Sequence, residues 1–260
     1  MSATWPDDAQ TADLERRFGG LRRLYGDAGY QRLRTAHVAV VGVGGVGSWA
    51  VEALARSGVA GLVLIDLDHV AESNVNRQLQ ATSDTLGMAK VLALQARVAA
   101  IHPGCAVRPV EAFVEPDNWP ALLPHAVDVV IDACDQVRAK LALAAWALQS
   151  GTPLVCVGAA GGKRLPQQVA VDDLAAVTHD PLLASLRQGL RREHGAPRQG
   201  PIGVRCVYSR ENVQRPQENC DVDGSLNCAG YGSSVAVTAT FGMTAAAEAM
   251  ACRLRPVPPA

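Results

Sequence analysis

The sequence predicts a doubly wound, Rossmann-like α/β fold built on a mainly parallel sheet, and three observations predict it. Short apolar runs alternate with helix-length stretches, the rhythm of βαβ units. The first run, HVAVVG at 37–42, leads straight into a glycine turn. With 260 residues, 48% of them hydrophobic, the chain can bury one large core.

Leu14, Phe18, Leu21, Leu24 and Tyr25 recur at helical spacing within 10–34, so this stretch is expected to be helical, with Gly19 and Gly20 interrupting it. The first strand follows at 37–42, then a helix from Ser48 to Ser57 that Gly58 ends, and a second strand at 62–66. A polar loop around Asn74 to Gln78 precedes a helix near 84–100. Strands at 106–111, 127–132 and 153–158 enclose a helix at 136–149. Beyond Gly158 the rhythm loosens into a Gly-rich turn, a strand at 167–171, a helix at 181–194, a loop rich in Arg, Pro and Asn, and a final helix at 231–252. The expected organisation is a single domain over 1–260, with a nucleotide-binding core at 10–158 and a substrate-specifying elaboration at 159–260.

Composition narrows the function classes. Twenty-four basic and 25 acidic residues give a net charge of −1, which by itself favours no polyanionic partner. The opening MSATWPDDAQ has no apolar run of the kind a signal peptide needs, so cytoplasmic residence is the default expectation. Seven scattered cysteines, none spaced as CxxC, suggest neither a disulfide scaffold nor a thiolate zinc site. The apolar stretch from Cys228 to Cys252 reads as a small-residue helix against a sheet and not as a membrane span, because Ser, Thr, Gly and Glu248 interrupt it.

Gly42, Gly44 and Gly47 satisfy GxGxxG between a strand and a helix, with Gly45 inside the turn, so phosphate can approach the backbone at a helix N-terminus. That pattern alone equally suits a nicotinamide dehydrogenase, with Asp66 on a ribose hydroxyl. The run DLDHVAESNVNRQ at 66–78 discriminates, because Asn74, Asn76, Arg77, Gln78 and the later Lys90 supply amide and cationic donors that suit a triphosphate. Asp132 and Asp135 end the strand at 127–132, on the sheet edge where such folds bind ligands. Asp135 there fits magnesium beside phosphates, whereas Asp132 is read as a helix cap or a buried strand end.

GVGGVG, DLDHVAESNVNRQ, GMAK and DACD in this order resemble the ThiF/MoeB superfamily, which includes the ubiquitin-activating enzymes. The resemblance implies ATP on Gly42 to Gly47, Asp66 on the ribose with Asp68 beside it, Asn74 and Arg77 with Lys90 on phosphates, and Asp135 on magnesium. It also implies a homodimer in which Arg17 or Arg23 reaches the other subunit's ATP site, and the face at Leu14, Phe18 and Leu21 offers a surface to bury.

RFGGLRRLYG at 17–26, DPLLASLR at 180–187, GVRCVYSRE at 203–211 and CAGYGSSVAVTATFG at 228–242 are similar to the branch that cyclises threonylcarbamoyladenosine in tRNA, and the CxxC pairs usual in MoeB and ThiF are missing. That branch implies carboxylate activation by ATP, with ring closure expelling AMP. The alternative is adenylation of the C-terminal glycine of a ubiquitin-like sulfur carrier, and a third reading is a noncatalytic nucleotide-binding adaptor. Cys228 is either a sulfur-relay thiol, which would imply a cysteine desulfurase or sulfur-acceptor partner, or a structural one.

Between Pro181 and Arg215 stand seven arginines against two glutamates. Arg187, Arg191 and His194 would share one helical face, so Arg187, Arg191 and Arg192 are the expected contacts to the tRNA anticodon arm, with Lys163 and Arg164 the next candidates.

Overall fold

A computed structural model of the chain describes residues 13–214 and 231–254. Seven strands form one sheet in the order β3-β2-β1-β4-β5-β7-β6. They are β1 (His37–Val41), β2 (Gly61–Ile65), β3 (Ala106–Val110), β4 (Val129–Asp132), β5 (Leu154–Val157), β6 (Val169–Asp173) and β7 (Arg205–Ser209). All neighbours pair in parallel except β6 with β7. β1, β2, β4 and β5 are apolar and almost wholly buried, as strands covered on both faces must be. β3 lies at an edge, which tolerates its Pro109.

The helices are α1 (Leu14–Phe18), α2 (Gly20–Arg34), α3 (Gly47–Arg56), α4 (Lys90–Ile101), α5 (Val137–Ser150), α6 (Pro181–Glu193) and α7 (Val235–Leu254). One apolar layer joins the sheet to α3, α4 and α7 through Val51, Leu54, Leu94, Phe241 and Ala245. The other joins it to α5 and α6 through Leu143, Leu183, Leu186 and Leu190. The expected doubly wound arrangement is therefore present, with several local differences.

Arg205–Ser209, expected to be loop, is β7, inserted parallel to β5. The surrounding arginines hide a run in which Cys206, Val207, Tyr208 and Ser209 are all buried. The helix expected from 84 begins at Lys90, because a single 3-10 turn occupies Ser83–Thr85 and Gly87 adopts φ 80°. The N-terminal helical segment divides at Gly19, between α1 and α2, as expected, and a further kink falls at Gly26, φ 70°. Phe18 of the apolar face expected at an interface is buried inside the chain, 4% exposed against the His102 ring at 4.8 Å, whereas Leu14 and Leu21 are half-buried and Leu24 and Tyr25 exposed.

α7 is long and apolar enough to cross a membrane, yet Val237, Phe241, Ala245, Ala246 and Ala249 are buried in the core. A Cβ at Gly242 would lie 2.4 Å from the Val46 carbonyl oxygen, so this glycine permits close packing of α7 on the start of α3.

Candidate active site

One pocket of about 260 Å³ opens at the carboxyl ends of β1 and β4, where the strand order reverses. Its nucleotide half is built from consecutive chain. Gly42 takes φ 79°, and a Cβ there would meet Ala133 and Cys134 backbone within 2.9 Å, so the β1 and β4 loops can approach only over glycine. Gly44 and Gly45 face the pocket, whereas Gly47 does not; a Cβ on Gly47 would strike the Gly42 carbonyl oxygen. Val46, at the N-cap of α3, makes no side-chain cap bond, and the Ser48, Trp49 and Ala50 amides donate to the Gly44 and Val46 carbonyls, so what this helix start offers an anion is the positive end of its dipole.

Asp66 is buried at the end of β2 and lines the pocket. Its Oδ2 accepts from the Val43 amide at 2.8 Å and its Oδ1 from the Asp68 amide at 2.9 Å. Burial pushes its carboxyl up, opposed by Lys90 and by these two amides. Lys90 is buried at the start of α4 and pairs with Asp68 Oδ2 at 2.7 Å. Arg77 lines the pocket while donating from Nη1 to the Ser73 carbonyl and to Asn76 Oδ1. Gln78 lies under Gly44 and also lines the pocket.

Asn74 corrects an expectation: it does not line the pocket, and its buried Oδ1 accepts from the Ala71 amide. Its role is to fix the turn that carries Arg77 and Gln78, a capping use for which Asn is equally suited.

Asp135 lines the pocket from the loop after β4. Among the described residues no cluster of three or more His, Cys, Asp or Glu could hold a metal by itself. A lone carboxylate beside a phosphate site still fits magnesium, which takes one or two carboxylates plus phosphate oxygens. Asp132 is the buried strand end, fully inaccessible and 3.1 Å from Lys140, which is equally inaccessible and donates to the Val157 carbonyl at 2.7 Å. Burial alone would lower the Lys140 pKa, but Asp132 together with the neighbouring Cys156 and Cys134 raises it on balance. This pair ties β4, α5 and β5 together beneath the pocket, and it was not foreseen from sequence.

Cys134 also lines the pocket. Its Sγ donates to Asp132 Oδ1 at 2.9 Å, and burial followed by the Asp132 charge drives its pKa well up. It is thus a protonated thiol and a poor nucleophile. Cys228, the other thiol considered, lies outside the described residues.

The second half of the pocket gathers distant segments: Gly158 to Gly161 after β5, Pro181 and Leu182 at the start of α6, Val213, and Ser233 with Thr238 around the start of α7. Phe113 and Val114 close the side near β3. No spacing motif announced these residues.

The expected basic contacts are placed elsewhere. Arg187 donates from Nη1 to the carbonyls of Leu174 and Val177, at 3.0 and 2.8 Å, and so closes a turn of its own chain instead of facing a partner. Arg191 similarly bonds the Pro197 and Arg198 carbonyls, while Arg192 pairs with neighbouring Glu193. Lys163, 2% exposed, is too buried to meet a polyanion. Arg17 and Arg23 are exposed and outside this pocket; Arg17 donates to the Ile101 carbonyl at 2.6 Å.

The ThiF family model matches residues 19–258. The chain belongs to the ThiF family. It is 43% identical over 246 residues to the tRNA threonylcarbamoyladenosine dehydratase of Escherichia coli, covering 90% of this chain and 92% of that relative. The crystal structure of that E. coli enzyme, TcdA, in complex with ATP superposes with a TM-score of 0.85 at 42% identity, covering 93% and 96% of the two chains. Similarity to the molybdopterin-synthase adenylyltransferase of E. coli is 36% but spans only 49% of this chain and 51% of that one.

Proposed function

We propose that the protein uses ATP to dehydrate threonylcarbamoyladenosine in tRNA to its cyclic form. The observation that carries this is the reach of the similarity. It runs at 43% identity through the second half of the pocket, whereas likeness to an enzyme that adenylates a sulfur carrier stops near half the chain. The noncatalytic adaptor is disfavoured because Arg77, Lys90 and Asp135 all line the pocket.

The chemistry needs no protein nucleophile. A threonyl carboxylate oxygen attacks the α-phosphorus of ATP and pyrophosphate leaves. The carbamoyl nitrogen of the same side chain then attacks the acyl carbon and gives up its proton to solvent, and AMP leaves with the carboxylate oxygen. Proximity favours the second step because both groups belong to one substituent. Lys90, Arg77 and the dipole at the start of α3 would hold the phosphates, with Asp66 and Asp68 toward the ribose. Lys90 would exchange Asp68 for phosphate. Magnesium held by Asp135 would supply further charge neutralisation.

The same reading includes a single domain, a homodimer in which Arg17 or Arg23 acts across the interface, cytoplasmic residence beside tRNA, and exposed Arg192 as the remaining α6 contact to the anticodon arm. A cysteine desulfurase or its sulfur acceptor is the protein partner this reading allows. Purified protein, ATP, magnesium and tRNA bearing the linear nucleoside should yield AMP, with nucleoside mass spectrometry showing loss of one water. AMP formation only with a small protein ending in Gly-Gly would instead establish the sulfur-carrier reading.

A further inference from the structure

Three buried charged residues, none facing the pocket, join the segments that wall its second half. Asp180 is 4% exposed and N-caps α6, its Oδ1 accepting from the Leu183 amide at 2.9 Å. Its Oδ2 accepts from the Ala159 amide, also at 2.9 Å, so one carboxylate fixes the loop after β5 to the start of α6. A Cβ at Gly158 would lie 2.1 Å from that same Oδ2, which shows how closely the loop is drawn in.

Lys163 lies on the same loop, 2% exposed, and its Nζ donates to the His179 carbonyl at 3.1 Å and to the Glu211 carbonyl. His179 has φ 58°, a left-handed backbone uncommon outside glycine, and the lysine holds its carbonyl there. Glu211, 9% exposed, accepts at Oε2 from the amides of Arg164 and Leu165, both at 2.9 Å, and at Oε1 from Gln214 Nε2 at 3.1 Å. The segment beyond β7 is thereby fixed to the 158–165 loop, and Val213 reaches the pocket from it.

These contacts cross-link the segments that carry Ala159, Gly161, Pro181, Leu182 and Val213, and none of these hydrogen bonds goes to Gly42, Gly44, Gly45, Asp66, Arg77 or Lys90. The geometry points to Asp180, Lys163 and Glu211 as positioning residues that set the shape of the acceptor half of the active site, independently of the ATP half. Burial raises the Asp180 carboxyl and lowers the Lys163 ammonium, each partly offset by the other's opposite charge, in keeping with a mutually dependent set. The inference rests on the dehydratase reading, since it assigns the second half of the pocket to the modified nucleotide.

Asp180→Asn is the sparing test. The amide oxygen can still cap Leu183, but its NH₂ group would face the Ala159 N–H and break only the cross-link. Lys163→Met removes both carbonyl bonds at similar side-chain length, and Lys163→Arg restores donors and charge. Each full-length variant is compared with wild type for ATP affinity by calorimetry, for KM and kcat with tRNA bearing the linear nucleoside, and for Tm. The expected result is a loss of about tenfold or more in kcat/KM for tRNA in Asp180→Asn and Lys163→Met, partial recovery in Lys163→Arg, and ATP affinity within about twofold of wild type. Unchanged tRNA kinetics, or tRNA kinetics and ATP affinity falling in parallel with Tm, would overturn the assignment. A wild-type chain that binds ATP yet forms no cyclic product overturns the dehydratase reading and this one with it, whereas an active wild type beside unaffected variants overturns only this one.

Discussion

The two halves of the pocket are encoded differently. Apart from Asp135, the half proposed for the nucleotide takes Gly42, Gly44, Gly45, Asp66, Asp68, Arg77, Gln78 and Lys90 from one continuous stretch of βαβ chain, and its geometry comes from backbone turns and a helix start. The half proposed for the acceptor takes a few residues from each of several segments between 158 and 238, and buried charges join the loop after β5, the start of α6 and the segment after β7. Phosphate recognition can therefore be written as local spacing, because a glycine turn and a helix N-terminus need only their own neighbours. Positioning an acceptor needs partners far apart in sequence, such as Lys163 and Glu211.

The largest expected effect removes what both halves share. Lys140→Met leaves Asp132 buried without its cation, and loss of one partner of such a pair costs about 3–5 kcal/mol. Denaturant unfolding should show that loss, with ATP and tRNA binding declining together. A variant within about 1 kcal/mol of wild type would show that the halves do not depend on a common floor.

Acid should weaken the whole molecule without distinguishing the halves. Burial, then Arg34 and Arg17, depress His102 from 6.5 to about 4. The unfolded chain therefore takes up a proton near pH 6.5 that the folded chain refuses until about pH 4. The stability this group contributes is complete above pH 6.5 and is lost as pH falls toward 4, by up to about 3 kcal/mol. Unfolding measured across that window should be visibly flatter in His102→Gln; equal slopes would remove His102 as the cause.

Within the nucleotide half alone, Asp135→Asn should leave the fold intact and slow AMP formation by about a hundredfold, roughly 2.7 kcal/mol, because an amide lacks the anionic oxygen a magnesium ion needs. A near-normal rate at saturating ATP and magnesium would refute the metal role.

The smallest effects separate the arginines of α6. Arg192→Ala should lower the salt dependence of tRNA binding by about 0.7, one single-strand phosphate contact, and leave Tm unchanged. Arg187→Ala should do the reverse, since its guanidinium closes a turn at the Leu174 and Val177 carbonyls. If both lower the salt slope equally, Arg187 meets phosphate after all.

The same contrast explains what the sequence disclosed. The glycine turn, the end of β2, Arg77, Lys90 and Asp135 meet on one pocket, and the sequence brings them to notice because they follow strand ends and carry residue types suited to phosphate. Asn74 stands outside the pocket lining because asparagine serves a turn as readily as a ligand, and its Oδ1 accepts from the Ala71 amide. β7 was missed because its flanking arginines resemble a solvated loop while the four residues after Arg205 are buried. Lys163 and Arg187 look alike in sequence as surface cations, but both direct their charge at backbone carbonyls inside the chain. Charge counting along a chain has no access to that.

The fit of Gly242 against Val46 bears on synthesis. The glycine turn and its helix are made early, but Thr238, which faces the same pocket, and the residues that pack over α3 belong to α7. On the ribosome, the phosphate cradle would take shape long before its cover emerges, leaving the apolar flank of α3 bare until translation has passed Leu254.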